Sequence, residues 1–177
     1  MSAPHIVALG GTLRPDSSTG RLLSAALDLA RARGASTSLF TGPDIAFPHY
    51  EPGPHEAVPA IGRYLDALRT ADAVIVGSPG YHGTLSGMVK NALDYVEELR
   101  THDRVYFDGM PVGLIATGAG WQGAVSTLHA LRTVTHALRG WPTPMGLAIN
   151  TAEPEAVAQS AAPMAIMVDQ IFGFLAR

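Results

Sequence analysis

Cysteine is absent from the 177 residues, and charge is scarce. Without a thiol there is no disulfide scaffold, no Cys-ligated zinc, no iron–sulfur cluster and no thiol nucleophile. Charged residues make up 15 % of the chain, against roughly 25 % in a typical soluble domain. Neither sign dominates. Twelve Lys and Arg against fifteen Asp and Glu leave a net charge of −3, which offers no basic groove for nucleic acid and no polybasic face for a membrane. No apolar run approaches the ~18 residues of a membrane span. The opening MSAPHIVALG lacks the basic start and long apolar stretch of a secretion signal. These absences predict a soluble, cytoplasmic protein. The length suits one domain spanning 1–177, and 47 % apolar residues are enough for a core. The shortage of charge has two readings: a second chain covers part of the surface, or the composition is biased, as eleven Arg to a single Lys, Lys90, also suggests. The first is favoured.

Short apolar runs alternate with helical periodicity along the whole chain. His5–Leu9, Thr37–Phe40, Ala73–Gly77, Val112–Ala116 and Met145–Ile149 read as strands. Most are continuous apolar runs bounded by Gly or Pro, which suits parallel strands buried on both faces. Between them, residues 18–33, 58–71, 85–99, the stretch after the fourth run and 157–175 carry apolar stripes at helical spacing. That alternation predicts a doubly wound, three-layer α/β sheet of five strands. The one long irregular stretch, 41–56, holds His49, Glu51, His55 and Glu56. Pro59 falls where a zinc-protease helix would need its second His, so a solvated loop is expected there and no metal.

In such a sheet a ligand sits at the carboxyl ends of the strands. The loop after the first strand, Gly10 to Thr19, has neither a G-x-G-x-x-G fingerprint nor a Gly-Lys-Ser/Thr triphosphate loop. It offers the hydroxyls of Thr12, Ser17, Ser18 and Thr19, and one guanidinium, Arg14, just before a helix. Hydroxyls, helix-start amides and one positive charge suit a terminal monophosphate; a capped helix start in a polar turn is the other reading. The loop after the third strand, Gly77 to Gly87, places neither Ser78 nor Ser86 in a G-x-S-x-G nucleophile elbow. It sets Tyr81 and His82 among glycines instead, a flat backbone surface for a planar ring.

Gly11-Thr12-x-Arg14-x-x-Ser17 together with Ser78-Pro79-x-Tyr81-His82-Gly83-Thr84-x-x-Gly87-x-x-Lys90-Asn91-Ala92-Leu93-Asp94 resembles the NADPH-dependent FMN reductase family of the flavodoxin-like superfamily. Thr117-Gly118-Ala119-Gly120 is similar to that family's third flavin loop. The resemblance implies a flavodoxin-like sheet of order 2-1-3-4-5, bound FMN, NADPH or NADH as hydride donor, and a homodimer or homotetramer. It implies that Thr12, Arg14, Ser17 and Thr19 hold the FMN phosphate, with Ser18 beside them. Pro79, Gly80, Tyr81, His82, Gly83 and Thr84 would line the isoalloxazine ring, and Thr117, Gly118 and Gly120 its pyrimidine edge. Three positions depart from the family pattern: Gly80 where Glu is common, Thr19 where Asn is, and Ala119 where a second Gly is.

The activity implied is an NAD(P)H oxidoreductase passing hydride through FMN to a flavin, a quinone or a similar small acceptor, including flavin for a partner monooxygenase. A flavodoxin-type electron carrier is the alternative; carriers are typically strongly acidic around the flavin and dispense with an Arg such as Arg14. Hydride transfer belongs to the cofactor, so no catalytic dyad is expected. His82 is a candidate for positioning the flavin, ahead of donating a proton. Trp121 is expected to wall the pocket. His129, Arg132, His136 and Arg139 share one helical face; a solvated face is favoured over a site for the 2′-phosphate of NADPH or a subunit contact. Along 85–99 the apolar positions, with Met88 and Tyr95 at the edge, span roughly 160° where ~100° would cover a sheet. The excess predicts packing against a second subunit.

Overall fold

The structure, a computed structural model, describes residues 3–53 and 58–177. Seven strands form one sheet: β1 (His5–Gly10), β2 (Ser36–Thr41), β3 (Ala73–Tyr81), β4 (Thr84–Leu85), β5 (Pro111–Gly118), β6 (Trp141–Pro142) and β7 (Leu147–Asn150). The helices are α1 (Ser18–Ala32), α2 (Pro59–Thr70), α3 (Gly87–Asp94), α4 (Trp121–Ala137), α5 (Ala156–Gln159) and α6 (Ala161–Leu175), with 3₁₀ segments at Gly42–Ile45 and Tyr95–Leu99. Parallel pairing runs β2-β1-β3-β5-β6, β7 joins β5 as well, and β4 turns back antiparallel on β3.

Side chains alternate across a strand, so each central strand feeds two cores. Val7, Leu9, Val74, Val76, Val112 and Leu114 pack under α2, α3 and α4. Ile6, Ala8, Ile75 and Ile115 pack against α1 and α6. With helices on both faces, continuous apolar runs are what these strands require.

The structure corrects three expectations. The sheet is not five simple strands, because the fifth position is split between β6, on Pro111 and Val112, and β7, on Ile115 to Gly118. Pro142 and Pro144 lack the N–H a continuous strand would use, and proline is confined to edges and interruptions. Across the gap, the Met145 amide donates to Gln170 Oε1 (2.8 Å), and Arg132 donates to the carbonyls of Thr143 (3.3 Å) and Pro144 (3.0 Å). Arg132 is therefore not part of a solvated face; His129, His136 and Arg139 are exposed.

Second, the stretch 85–99 is not one helix, and its wide apolar arc does not face outward. α3 gives way to the 3₁₀ segment at Tyr95, which is 1 % exposed. Its ring meets Phe47 and Tyr50 edge-on, each at 5.1 Å, and its hydroxyl donates to Pro48 O (3.1 Å). The chain's own loop after β2 thus covers Tyr95, one of the two edge residues from which packing against a second subunit is expected; Met88, the other, is half-buried against the same core.

Third, that loop is not simply solvated. Asn91 Oδ1 accepts from the Tyr50 amide (2.8 Å), and Asn91 Nδ2 donates to Phe47 O (3.3 Å) and Pro48 O (2.8 Å). One carboxamide straps the loop onto α3. His55 and Glu56 lie outside the described residues; among those described, no group of three or more His, Cys, Asp or Glu could hold a metal. No helix among them is long and apolar enough to cross a membrane.

Candidate functional site

The carboxyl ends of β1, β3 and β5 lie side by side and open into a cleft of about 510 Å3, within the size range of small-molecule sites. At the end of β1 the chain turns so close to β3 that Gly10, at φ +136°, has no room for a side chain. A Cβ there would sit 1.7 Å from Gly77 O. The Gly11 amide then donates to Gly77 O (3.1 Å). This closure sends the loop back over the start of α1, where Ser17 caps the helix by accepting from the Gly20 amide (3.1 Å). Ser17, Ser18 and Thr19 at the start of α1 line the cleft, which brings the electropositive end of a helix to an anion site. Arg14 is exposed, and its side chain makes no hydrogen bond or ion pair among the described residues.

The loops after β1 and β5 are joined inside the wall. Thr19 Oγ1 and Thr117 Oγ1 are 2.7 Å apart, and the two residues are 2 % and 4 % exposed. Thr19 thus spends its hydroxyl on Thr117. The loop after β5 is tied on its other side by the Thr151 amide and hydroxyl, which donate to Gly118 O at 2.7 and 3.1 Å.

From β3 comes a two-residue hairpin that the sequence did not reveal. Tyr81 pairs with Thr84, and His82 and Gly83 between them both take positive φ, 51° and 93°, as a type I′ turn requires. Buried Ser78 anchors it by accepting from the Ser86 amide (2.9 Å) while its own hydroxyl donates to Pro79 O. Gly80 backs directly onto α4: a Cβ there would lie 2.4 Å from Thr127 Oγ1 and 2.8 Å from Gly123 O. That close approach is the physical reason for Gly at this position.

Of the residues expected from the sequence, Thr12, Arg14, Ser17, Ser18, Thr19, Pro79, Gly80, Tyr81, Thr117 and Gly118 all line the cleft. His82, Gly83, Thr84 and Gly120 do not; His82 stands exposed at the hairpin tip. Trp121 does not wall the cleft either. Its indole N–H donates to Glu153 Oε1 (2.9 Å) and it lines a neighbouring pocket over β7. The lining also includes Ala119 of the third loop, and Pro15, Asp16, Arg21 and Thr151, which the sequence reading missed. Arg21 was findable: it lies one helical turn beyond Ser17, on the same face. Thr151 carried no local signal beyond following a strand.

A family model described as NADPH-dependent FMN reductase matches residues 4–154. An FMN-dependent NADPH-azoreductase of Staphylococcus aureus is 36 % identical over 83 residues, covering 47 % of this chain and 40 % of that protein. The matched segment therefore spans less than half of either chain. Among solved structures, the flavoenzyme NAD(P)H:(acceptor) oxidoreductase of Paracoccus denitrificans superposes with a TM-score of 0.79, at 23 % identity and 98 % coverage of both chains. A point mutant of flavodoxin from Pseudomonas aeruginosa superposes with a TM-score of 0.65 at 13 % identity, over 96 % of this chain and 99 % of its own. At such identities the likeness speaks for the fold alone, which is flavodoxin-like. The match over most of its length places the chain in the NADPH-dependent FMN reductase family.

Proposed function

We propose that the chain is a single-domain, FMN-dependent NAD(P)H oxidoreductase that passes hydride to a flavin, a quinone or a similar small acceptor. The observation that carries this reading is the convergence of three loops on one cleft. An unpaired guanidinium and three hydroxyls stand at a helix start, and a flat Gly- and Pro-containing wall stands beside them. These residues fit FMN. Arg14, Thr12, Ser17, Ser18 and the first amides of α1 would take the phosphate, through charge-assisted hydrogen bonds. Pro79, Gly80 and Tyr81 would face the ring, and the backbone of Thr117 and Gly118 its polar edge. Thr19 would act through Thr117, fixing the distance between two loops. His82, Gly83, Thr84 and Gly120 would shape the hairpin and the start of α4 that frame the ring.

When bound, FMN supplies the acceptance and release of hydride, so the protein's task is to bind, orient and shield. Backbone amides in the loops after β3 and β5 can stabilise negative charge at the ring edge without an acid–base side chain. The protein is proposed to act in the cytoplasm as a homodimer or homotetramer. The low charge supports assembly, as does the apolar exposure of Tyr81, Trp121 and Val125. A flavin-using monooxygenase is one destination for reduced flavin. The test is anaerobic mixing of the yellow, FMN-loaded protein with NADPH. Rapid bleaching is expected; a protein that keeps FMN and stays yellow would be an electron carrier instead.

A further inference from the structure

The loop after β5 is held by hydroxyls at two points, Thr117 on Thr19 and Gly118 O on Thr151. Its last residues, Gly118, Ala119 and Gly120, carry no polar side chain, and glycine gives the backbone its widest freedom. Directly behind them α4 starts at Trp121, with no side chain capping its first turn. On the β7 side, packing does not steady this corner: a pocket of about 240 Å3 lies there, lined in part by Trp121, Asn150 and Glu153.

One carboxylate spans that side. Glu153 Oε1 accepts from the indole N–H of Trp121 (2.9 Å) and from Asn150 Nδ2 (3.0 Å). The turn that carries Glu153 is folded by its own residues. Asn150, buried at the end of β7, accepts from the Ala152 amide on Oδ1 (3.2 Å), and its carbonyl accepts from the Glu153 amide (3.1 Å). The same turn contains Thr151, which lines the cleft and donates twice to Gly118 O. The turn after β7 therefore grips the loop after β5 at both ends. Thr151 holds Gly118, Glu153 holds Trp121, and only Ala119 and Gly120 lie between.

Trp121 is 55 % exposed and Glu153 is exposed as well, so water competes for both groups and their bond adds little to the stability of the fold. Its effect is on where the loop stands. We propose that Glu153, which does not itself line the cleft, is a positioning residue for the flavin: through Trp121 and Asn150 it fixes the loop after β5 at the polar edge of the ring. A loop ordered in advance presents its amides without a further ordering cost on binding. The role belongs to the acceptor oxygen rather than to the charge, because both partners donate N–H groups that a carboxamide oxygen also accepts. The inference rests on the reading of the cleft as an FMN site and adds to it a residue from outside the cleft.

The experiment is fluorescence titration of the full chain, freed of flavin, with FMN and with riboflavin. Glu153→Ala is expected to weaken both about tenfold, the scale of one lost hydrogen bond. Equal losses set it apart from Arg14→Ala, which acts on the phosphate. Glu153→Gln should bind both flavins within about twofold of the wild type. Trp121→Phe keeps a ring but loses the N–H; it should match Glu153→Ala, and the double variant should bind no more weakly than either. Thermal melts without flavin should place these variants within about 2 °C of the wild type. The midpoint potential of bound FMN is a readout that stability does not move. It should be lower in Glu153→Ala than in Glu153→Gln, which has the same charge, because reduction adds negative charge at the edge the loop faces. A tenfold larger loss for the reduced flavin is about 30 mV. Unchanged flavin affinity in Glu153→Ala overturns the inference. So does a failure of Glu153→Gln to restore binding, an equal potential in the two variants, or a fall in melting temperature that parallels the loss of affinity. A wild type that binds neither flavin removes the FMN site and this role together. Differences that hold in a protein that NADPH does not bleach anaerobically support the positioning role and remove only the reductase reading.

Discussion

The hydroxyl pair Thr19–Thr117 joins residues 98 positions apart and ties two ligand-facing loops together. Replacing Thr19 by Val keeps shape and volume but removes one hydroxyl, leaving Thr117 Oγ1 buried at 4 % exposure without that partner. An orphaned buried polar group costs about 1–3 kcal/mol, whereas replacing both partners by apolar isosteres is close to neutral. Thr19→Val and Thr117→Val should therefore each destabilise by about 1–3 kcal/mol. The double variant should be no worse than either, giving a favourable coupling of about 1–3 kcal/mol, on the scale of touching pairs. In a protein of this size that is about 2–4 °C in Tm per kcal/mol. Urea unfolding of the four proteins without flavin gives the cycle directly, and repeating it at saturating FMN shows whether the tie also supports binding. Strictly additive losses would refute the reasoning. They would mean that water from the cleft satisfies each hydroxyl separately.

Arg14→Ala should weaken FMN by about 1.5–3 kcal/mol, the loss of one charge-assisted hydrogen bond, and leave riboflavin nearly untouched; equal losses in flavin fluorescence titrations would remove Arg14 from the phosphate. Gly80→Ala should cost about 1–3 kcal/mol, the usual scale of overpacking. Gly80→Ala/Thr127→Ala should recover only part of it, because Gly123 O, a backbone atom, also stands 2.8 Å from the new Cβ; full recovery in thermal melts would show that α4 is free to move. Tyr64 is fully buried with its hydroxyl donating to Ala92 O, and burial raises its pKa. Burial and the hydrogen bond to Glu98 push the pKa of Tyr50 up to about 12. A raised tyrosine pKa contributes stability that is complete below the unfolded value of about 10 and fades as pH rises past it, by up to about 1.4 kcal/mol per pH unit for the buried Tyr64 and less for the partly exposed Tyr50. Tyr64→Phe should be less stable at pH 8 but lose less between pH 10 and about pH 12; parallel curves of stability against pH would contradict this.

The residue types and their spacing determined the alternation of strands and helices, the burial of the sheet on both faces and the three loops that form the cleft. Continuous apolar runs such as Ile6–Leu9 and Val74–Val76 leave no other arrangement, because each must be covered twice. They also determined the family, since Ser17 and the segment from Ser78 to Asp94 carry their chemistry locally. Only tertiary structure decided what covers what. The apolar arc of 85–99 is real, but Tyr95 at its edge is met by the chain's own loop, strapped by Asn91 from over 40 residues away. Periodicity records that a face is buried and says nothing of the partner. Pro142 and Pro144 interrupt the fifth strand locally, but the gap is bridged by Arg132 and Gln170 reaching across from two helices. The role of Thr19 depended on Thr117, and the need for Gly80 depended on Gly123, contacts that a linear chain does not encode as patterns. Local conformation follows from neighbouring residues; the partner of a buried hydroxyl or a bare Cα is set by how the layers close.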